Sequence, residues 1–352
     1  MIETAAMLAV RAAAPGDPAE LRATEVPCPA SAPGELLVRV HAAGVNRSDV
    51  LACRGTLPGP FPRTLGRDFA GTVVAGPAEW IGRRVWGAGG HDIGLSRNGS
   101  HAEYLTVPED AACEVPDGLE LREAAASALA YFTAFAAWDL AGGVGPGSTV
   151  VVTGAAGAVG AAAAALAAQR GARVVGVVRR SDDVSEAVDV VVRSDLEEVP
   201  AAIVRASGGD GPARAVDTVG GPLAALLLAA MGVRGGVCVL STPPAQPVGA
   251  VDFLEFYRRE LRLTGLHTGR LSATDAARAL SACTAGFNSG ALPPTRVHSC
   301  HPLTAAAAAY RTVEQGARGR VLLVPDHQSP DQARQTGVPP IPSSSKRGRS
   351  CD

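Results

Sequence analysis

A glycine-containing turn, TGAAGAVG at residues 153–160, is the segment whose residue types and spacing most directly predict chemistry. A β-branched run, 149–152, precedes it, while an alanine-rich stretch, 161–170, and a second apolar run, 174–178, follow it. A strand, a tight glycine turn, a helix and a second strand form the context in which such a turn binds a dinucleotide, with the phosphates at the helix N-terminus. We therefore predict a nicotinamide cofactor. The residues of this turn predicted to bind it are Gly154, Ala155, Ala156, Gly157, Ala158, Val159 and Gly160, and Ser241, much later in the chain, is predicted as a further cofactor contact.

The residues after the second predicted strand bear on which nicotinamide cofactor is bound. An NAD-specific site usually carries an acidic residue there, but this chain has Arg179, Arg180 and Ser181. Two guanidinium groups beside a hydroxyl suit a dianionic 2′-phosphate, because arginine forms bidentate charge-assisted hydrogen bonds to phosphate. These residues predict NADPH. The alternative is that the arginines are solvated loop charges and that Asp182 or Asp183 holds the ribose.

Composition restricts the class of protein. A length of 352 residues predicts two domains with a sizeable core. The hydrophobic fraction of 47% and the net charge of −2 describe a globular chain without the basic excess of nucleic-acid-binding proteins. The N-terminus lacks the features of a secretory signal, and no apolar run reaches the ~20 residues that span a bilayer. We expect a cytoplasmic protein with neither a nucleic-acid nor a membrane partner.

The cysteine and histidine spacing predicts no metal clip and no catalytic triad. The seven cysteines include no CxxC pair, as is typical of reduced cytosolic thiols. His91, His101 and His267 are isolated in the sequence, and His101 is expected to be structural. The sequence contains no GxSxG motif, so it gives no support for a hydrolase.

The distribution of strand and helix patterns predicts an α/β protein with two units. Up to about Pro116, short β-rich runs alternate with Pro and Gly turns, as in a β-barrel. From about Leu121 to Leu266, strands and helices alternate, as in a doubly wound parallel sheet. The predicted boundaries are 1–121 for the first part of the barrel unit, 122–270 for the nucleotide-binding unit, 271–325 for a return to the barrel unit and 326–352 for a disordered tail.

Several motifs resemble one known family in order along the chain. They are AAGVNRSDVL at 42–51, LGRDFAGTVV at 65–74, NGSHAEYLTVP at 98–108, AVDTVGG at 215–221 and HPLTAAAAAYRTVEQGARGRVLLV at 301–324. Together with the central turn they resemble the medium-chain dehydrogenase/reductase superfamily over nearly all of residues 7–324. The resemblance implies a GroES-like β-barrel catalytic domain, a central Rossmann domain and an active site in the cleft between them. It also implies a homodimer formed through the central sheet near 235–240 and the segment up to 266.

This chain differs from the zinc-dependent members of that superfamily at every ligand position. Asn46 stands where they have a cysteine ligand, and Arg67 where they have a histidine ligand. A neutral amide and a permanent cation cannot supply the thiolate or imidazole that Zn²⁺ prefers. The segment of the third ligand, 127–130, has no cysteine, and neither does 85–101, where a structural zinc lobe would lie. We predict no metal.

The pattern NRSDV at 46–50 resembles the zinc-free quinone oxidoreductase and enoyl reductase branch. In that branch the β-carbon of a carbon–carbon double bond conjugated to a carbonyl receives a hydride, and a proton follows from solvent or an enzyme acid. The resemblance implies an NADPH-dependent reductase of a small enone, enoyl thioester or quinone, with a tailoring step in polyketide or antibiotic biosynthesis as one hypothesis. The alternative is a catalytically idle relative that keeps the fold for a binding or structural role. Carbonyl reduction is disfavoured without zinc.

Three residues are the predicted catalytic set: Asn46, Asp49 and Tyr131. Asn46 could bind the substrate carbonyl or the nicotinamide, or it could stabilise its local turn. Asp49 is favoured to fix the loop, because an ordinary carboxyl is ionised at neutral pH. Tyr131 could donate a proton, although core packing is the alternative, and Thr133 on the same helix is predicted to approach the nicotinamide. Related quinone reductases often carry a tyrosine where this chain has Leu51, so the proton donor stays open.

Overall fold

The computed structural model describes residues 6–179, 184–195 and 198–326, so the predicted tail beyond Asp326 lies outside the described residues. The strands are β1 (Ala6–Ala12), β2 (Arg22–Pro27), β3 (Glu35–Val45), β4 (Arg63–Thr64), β5 (Asp68–Ala75), β6 (Arg84–Ala88), β7 (Tyr104–Pro108), β8 (Cys113–Glu114), β9 (Thr149–Thr153), β10 (Arg173–Val178), β11 (Val190–Arg193), β12 (Arg214–Asp217), β13 (Gly236–Val239), β14 (Arg262–Gly265), β15 (Val297–His301) and β16 (Arg320–Leu323). The helices are α1 (Arg47–Cys53), α2 (Leu121–Leu140), α3 (Ala158–Gln169), α4 (Val199–Ala206), α5 (Pro222–Ala230), α6 (Phe253–Arg258), α7 (Ala273–Asn288) and α8 (Ala306–Glu314).

The middle of the chain forms a six-stranded parallel sheet in the order β11-β10-β9-β12-β13-β14. Strands β9 and β10 are continuous apolar runs, as expected for parallel strands that are covered on both faces. The strand order reverses direction at β9, because β10 and β12 lie on its two sides. The carboxyl end of β9 is therefore the point where a doubly wound sheet binds its ligand.

The two ends of the chain form the barrel unit. Its larger sheet runs β15-β16-β3-β5-β6-β8, with β7 also paired to β3, and β1, β2 and β4 form a smaller sheet. Strand β16 pairs antiparallel with β3, with Val321 opposite Val45. The predicted fold class, a GroES-like β-barrel domain with a Rossmann domain, is confirmed.

Helix α2 joins the two units. It packs against β3, β5 and β6 of the barrel unit and against α3 of the parallel sheet unit. Because it is covered on several sides, its sequence is apolar almost all round, and one core cluster extends from Trp86 to Val150. No helix in the described part of the chain combines the length and the apolar character needed to cross a bilayer.

The sequence does not predict the short elements α1, α4, α6 and β11. Each has eight residues or fewer, too few for a clear period, so tertiary packing decides their structure. Helix α1 matters for the site, because it places Asn46 at a helix N-terminus and Asp49 within the first turn.

Candidate cofactor and active site

The glycine turn between β9 and α3 has the geometry of a phosphate site. Gly154 adopts φ +62°, a conformation that favours glycine, and a Cβ atom there would clash with the Thr218 hydroxyl. A Cβ atom on Gly160 would lie 2.7 Å from the carbonyl carbon of Gly154, so this glycine allows the helix to pack closely on the turn. Gly157 is the N-cap of α3, whose first backbone N–H groups are free to meet an anion.

Gly157 faces an open cavity of about 320 Å³. A Cβ atom on Gly157 would meet only the Gly154 carbonyl oxygen, at 3.2 Å, and would otherwise project into free space. The opposite wall comes from residues 293–296 and from Arg318, and Ser185 closes a third side. This exposed backbone, at the positive end of a helix, fits the diphosphate of a dinucleotide.

Two arginines of the barrel unit, Arg296 and Arg318, line this cavity and are not predicted from the sequence. Both side chains are exposed, and guanidinium groups suit phosphate oxygens. They lie more than 130 residues after the glycine turn, so only the return of the chain to the barrel unit brings them close. No local pattern distinguishes them from ordinary surface charges.

A set of hydrogen bonds around the buried Asp217 carboxylate, which the sequence does not predict, fixes the start of the glycine turn. The Asp217 Oδ1 atom accepts hydrogen bonds from the Thr153 hydroxyl at 2.5 Å and from the backbone N–H groups of Val219 and Gly220 at 3.0 Å. The backbone N–H of Thr218 donates to the Thr153 hydroxyl at 3.0 Å, and the Thr218 hydroxyl donates to the Thr153 carbonyl at 2.8 Å. These bonds tie the carboxyl ends of β9 and β12 together beside the cofactor turn.

The predicted 2′-phosphate residues lie only partly within the described chain. Arg179 is exposed directly after β10. Arg180 and Ser181 lie outside the described residues, as do Asp182 and Asp183 of the alternative. The preference for NADPH stays a prediction.

Thr133 and Ser241 occupy two different elements. Thr133 is half-buried on α2, and its hydroxyl donates to the Leu129 carbonyl at 2.6 Å. Ser241 is exposed two residues beyond β13, and its backbone carbonyl packs against Gly220. Ser241 therefore belongs to the carboxyl edge of the parallel sheet, and the cofactor contacts predicted for both residues stay predictions.

Both the oxygen and the nitrogen of the Asn46 side-chain amide form hydrogen bonds within the protein. Its Oδ1 atom accepts from Arg320 Nη1 at 2.6 Å, and its Nδ2 group donates to Asp49 Oδ2 at 3.0 Å and to Asp68 Oδ2 at 3.3 Å. Asp49 is fully buried, and its Oδ2 atom also accepts from the Asn46 backbone N–H at 2.8 Å. This geometry supports the turn-stabilising alternative for Asn46 and the loop-fixing role for Asp49.

Asp68 and Arg320 form a buried ion pair behind Asn46, with 2.6 Å between Arg320 Nη2 and Asp68 Oδ2. Asp68 is fully buried, and Arg320 is 9% exposed. Complete burial raises the pKa of the Asp68 carboxyl, and the Arg320 guanidinium limits that rise. The pair connects β5 to β16, so the two ends of the chain meet at this point.

The Arg67 side chain also forms hydrogen bonds within the protein. Its Nη2 group donates to the backbone carbonyls of Gly89 at 3.0 Å and Gly90 at 2.8 Å. Burial lowers the pKa of Arg67, and the nearby carboxylates of Asp49 and Asp68 oppose that change. Arg67 and Arg320 thus place two positive charges beside the two buried carboxylates Asp49 and Asp68.

No group of three or more His, Cys, Asp or Glu side chains suited to a metal ion occurs within residues 6–179, 184–195 and 198–326. The donor set at Asn46 and Arg67 does not fit Zn²⁺, because neither side chain supplies a thiolate or imidazole. A metal-free protein stays a prediction, which elemental analysis of the purified chain tests.

Tyr131 on α2 packs against the segment before β15 and also contributes to the lining of the Gly157 cavity. It is 1% exposed, its hydroxyl donates to the Pro293 carbonyl at 2.5 Å, and its ring packs edge-on against Phe287 with 4.7 Å between centroids. Burial raises the pKa of Tyr131 well above its usual value, which makes the phenol a weaker acid. These contacts support core packing over proton donation.

We expect the variant Tyr131→Phe to keep most of its turnover and to lose about 1 kcal/mol of unfolding free energy, because only one hydrogen bond is removed. Steady-state rates and thermal unfolding of both proteins measure this. A loss of about 10²-fold in kcat with unchanged stability would instead assign the phenol to proton transfer.

Comparison with known proteins identifies the family. The family model described as the alcohol dehydrogenase GroES-like domain matches residues 32–117, and the model described as zinc-binding dehydrogenase matches residues 158–284. A zinc-type alcohol dehydrogenase-like protein of Schizosaccharomyces pombe is 34% identical over 271 residues, which are 75% of this chain and 79% of the relative. Quinone oxidoreductase-like protein 2 of Mus musculus is 27% identical over 250 residues, 69% of this chain and 70% of the relative.

Solved structures share the whole fold. An NAD-dependent alcohol dehydrogenase superposes with a TM-score of 0.81 at 28% identity, covering 90% of this chain and 99% of the other. A mycobacterial protein solved in complex with NADPH superposes with a TM-score of 0.76 at 28% identity, covering 91% of this chain and 100% of the other. The chain is an oxidoreductase of the medium-chain dehydrogenase/reductase superfamily, with the nicotinamide-dinucleotide-binding fold of that superfamily.

Proposed function

We propose that this protein is an NADPH-dependent, zinc-independent reductase that acts on a carbon–carbon double bond conjugated to a carbonyl, in an enone, enoyl thioester or quinone. The observation that carries the proposal is the cavity at Gly157, where an open helix N-terminus faces Arg318 across a space that a side chain at Gly157 would fill. The side chains of Asn46 and Arg67 are hydrogen-bonded to other groups of the protein, which supports the proposal that the reductase uses no zinc.

When bound, the cofactor supplies the hydride. The residues of the chain bind and orient the cofactor. The N-terminus of α3 and Arg318 bind its phosphates, and the hydrogen bond between Asp217 and Thr153 holds the glycine turn in place. The buried charges around Asn46 hold the start of α1 in place. An enone needs no metal at its carbonyl, because hydride enters at the β-carbon and oriented dipoles stabilise the resulting enolate.

Replacing both Arg179 and Arg180 with alanine should remove the preference for NADPH over NADH, because each charge-assisted bond to the 2′-phosphate contributes roughly 1.5–3 kcal/mol. Fluorescence titration with each cofactor gives the ratio of dissociation constants. Arg318→Ala is the matched control. The diphosphate is common to both cofactors, so loss of an arginine beside it should weaken the binding of NADPH and NADH by a similar factor. A double variant with an unchanged ratio would mean that Arg179 and Arg180 are solvated loop charges.

The reaction is tested by following NADPH oxidation with a panel of enones, quinones, enoyl thioesters and simple aldehydes. We expect turnover of at least one conjugated substrate and little or no turnover of aldehydes, and no activity in Gly157→Val. Cofactor binding without turnover of any conjugated substrate would overturn the proposed reaction and favour the catalytically idle alternative. Preferential reduction of aldehydes would favour an alcohol dehydrogenase. A tailoring step in polyketide or antibiotic biosynthesis stays a hypothesis within the enoyl class.

We also propose a homodimer through the edge of the parallel sheet. Strand β14 is the last strand of that sheet, and Leu263 in it is 45% exposed, while Phe253 and Tyr257 on the preceding helix α6 are 74% and 65% exposed. An apolar sheet edge of this kind is suited to pairing with a second copy. Light scattering that shows only monomers at micromolar concentration would contradict this.

A further inference from the structure

His267 follows the last strand of the parallel sheet at its ligand-binding edge. Strand β14 ends at Gly265, and the backbone N–H of Leu266 still donates to the Val239 carbonyl of β13 at 2.9 Å. His267 is the next residue. In a doubly wound sheet a dinucleotide lies across the carboxyl ends of the strands, with its two halves on the two sides of the switch point. Arg179 follows β10 on one side of β9, so the nicotinamide half would extend to the other side, toward His267.

The barrel unit reaches the same place. The backbone N–H of His91 donates to the Leu271 carbonyl at 2.8 Å, and a Cβ atom on Gly90 would overlap with that carbonyl. Gly90 in turn accepts a hydrogen bond from Arg67, which lies beside Asp49. The segment from His267 to Leu271 therefore connects the carboxyl edge of the sheet to the part of the barrel unit that carries the start of α1.

His267 is exposed, and its ring differs from most other described histidine rings in its hydrogen bonding. The rings of His41, His91, His101 and His301 each make a hydrogen bond to another residue. Among the described residues, none forms a hydrogen bond with the His267 ring, which lies over Gly269, where a Cβ atom would be 2.7 Å from Cε1. An exposed imidazole without a partner is suited to proton transfer, because one ring nitrogen can donate a proton while the other accepts one.

We propose that His267 is the proton donor of the reduction, an inference that rests on the proposed function. The β-carbon of the enone gains a hydride as NADPH is oxidised to NADP⁺, and the electron pair of the double bond shifts to give an enolate. The imidazolium of His267 then passes its proton to the α-carbon, which forms the second new C–H bond. The neutral imidazole regains a proton from solvent.

The first test asks where the ring lies and needs no turnover. Proton NMR of the full chain, with the His267 signal assigned by its loss in His267→Gln, follows the Cε1–H resonance during titration with NADPH. A ring at the nicotinamide end should shift on binding, while His41, bonded to Thr72 within the barrel, should not. If the His267 signal stays fixed while NADPH binds, the inference is overturned.

The second test asks for proton delivery. Wild-type reduction of an accepted enone in D₂O should place deuterium at one face of the α-carbon, and His267→Gln should lose roughly 10²-fold in rate and deliver deuterium to both faces. His298→Gln is the control, because it also removes an exposed imidazole. Unchanged rate and stereochemistry in His267→Gln would show a solvated histidine and leave the proposed reduction standing. A wild type that reduces no conjugated substrate would refute the proposed function, and this inference with it.

Discussion

The variant Gly157→Val is expected to raise the dissociation constant of NADPH by about 100-fold or more while the chain stays folded. The backbone of Gly157, at φ −85° and ψ 164°, is extended and accepts a β-branched residue. The new side chain would project into the cavity where the diphosphate binds, because its only neighbour is the Gly154 carbonyl at 3.2 Å. Loss of glycine at the helix N-cap costs at most about 1 kcal/mol, so the unfolding temperature should change little.

Two other glycines provide matched controls. A Cβ atom on Gly145 would have no other atom within 4 Å, so Gly145→Val should leave both stability and binding unchanged. Gly160→Val should lower the unfolding temperature strongly, since its Cβ would lie 2.9 Å from Ala155 Cα and closer still to Gly154. Isothermal titration and thermal unfolding of the three variants separate blocked binding from lost folding. Normal NADPH affinity in a folded Gly157→Val protein would remove the cofactor assignment.

Arg320→Ala is expected to lower the free energy of unfolding by about 3–5 kcal/mol, because it leaves the buried Asp68 carboxylate without its cation. The same change also removes the donor to Asn46 Oδ1, so the start of α1 should loosen. Adding Asp68→Asn should recover part of the loss, since the double variant carries no unpaired buried charge. Chemical denaturation of the three proteins measures these differences.

The matched control is Arg234→Ala. Arg234 also pairs with a carboxylate, at 2.8 Å from Glu260, but that pair is exposed to solvent. Exposed pairs contribute little, so this variant should unfold almost as the wild type does. Equal stability of the Arg320→Ala and Arg234→Ala proteins would mean that the ion pair of Asp68 does not hold the two ends of the chain together.

The predictable parts of this protein are those encoded locally. Strand β9, the glycine turn and α3 follow one another within about 20 residues, so the apolar run and the glycines predict both the fold and the cofactor site. Each family motif is also a short local pattern, and their order along residues 42–324 predicts the superfamily. The cofactor role predicted for Gly157 and the close packing at Gly160 follow from the glycine spacing together with the flanking strand and helix patterns.

The remaining features depend on residues that are distant in sequence. Arg320 lies 274 residues from Asn46 and 252 from Asp68, and nothing near any of the three indicates the partnership. The position of Arg318 opposite the glycine turn likewise depends on the return of the chain to the barrel unit, which no local pattern predicts. Tyr131 is ambiguous in the sequence because an aromatic on an alanine-rich helix fits both a site and a core, and its burial and its contacts with Pro293 and Phe287 favour the core.

The pairing of β16 with β3 has a consequence for synthesis on the ribosome. The parallel sheet is built from one continuous stretch, so it can fold as soon as that stretch has emerged. Strand β3 must wait for β16, and until then its edge and the Asp68 carboxylate lack their partners. The first unit to be translated is thus the last to be completed, and the wall of the cofactor cavity that Arg296 and Arg318 supply is also among the last parts to emerge.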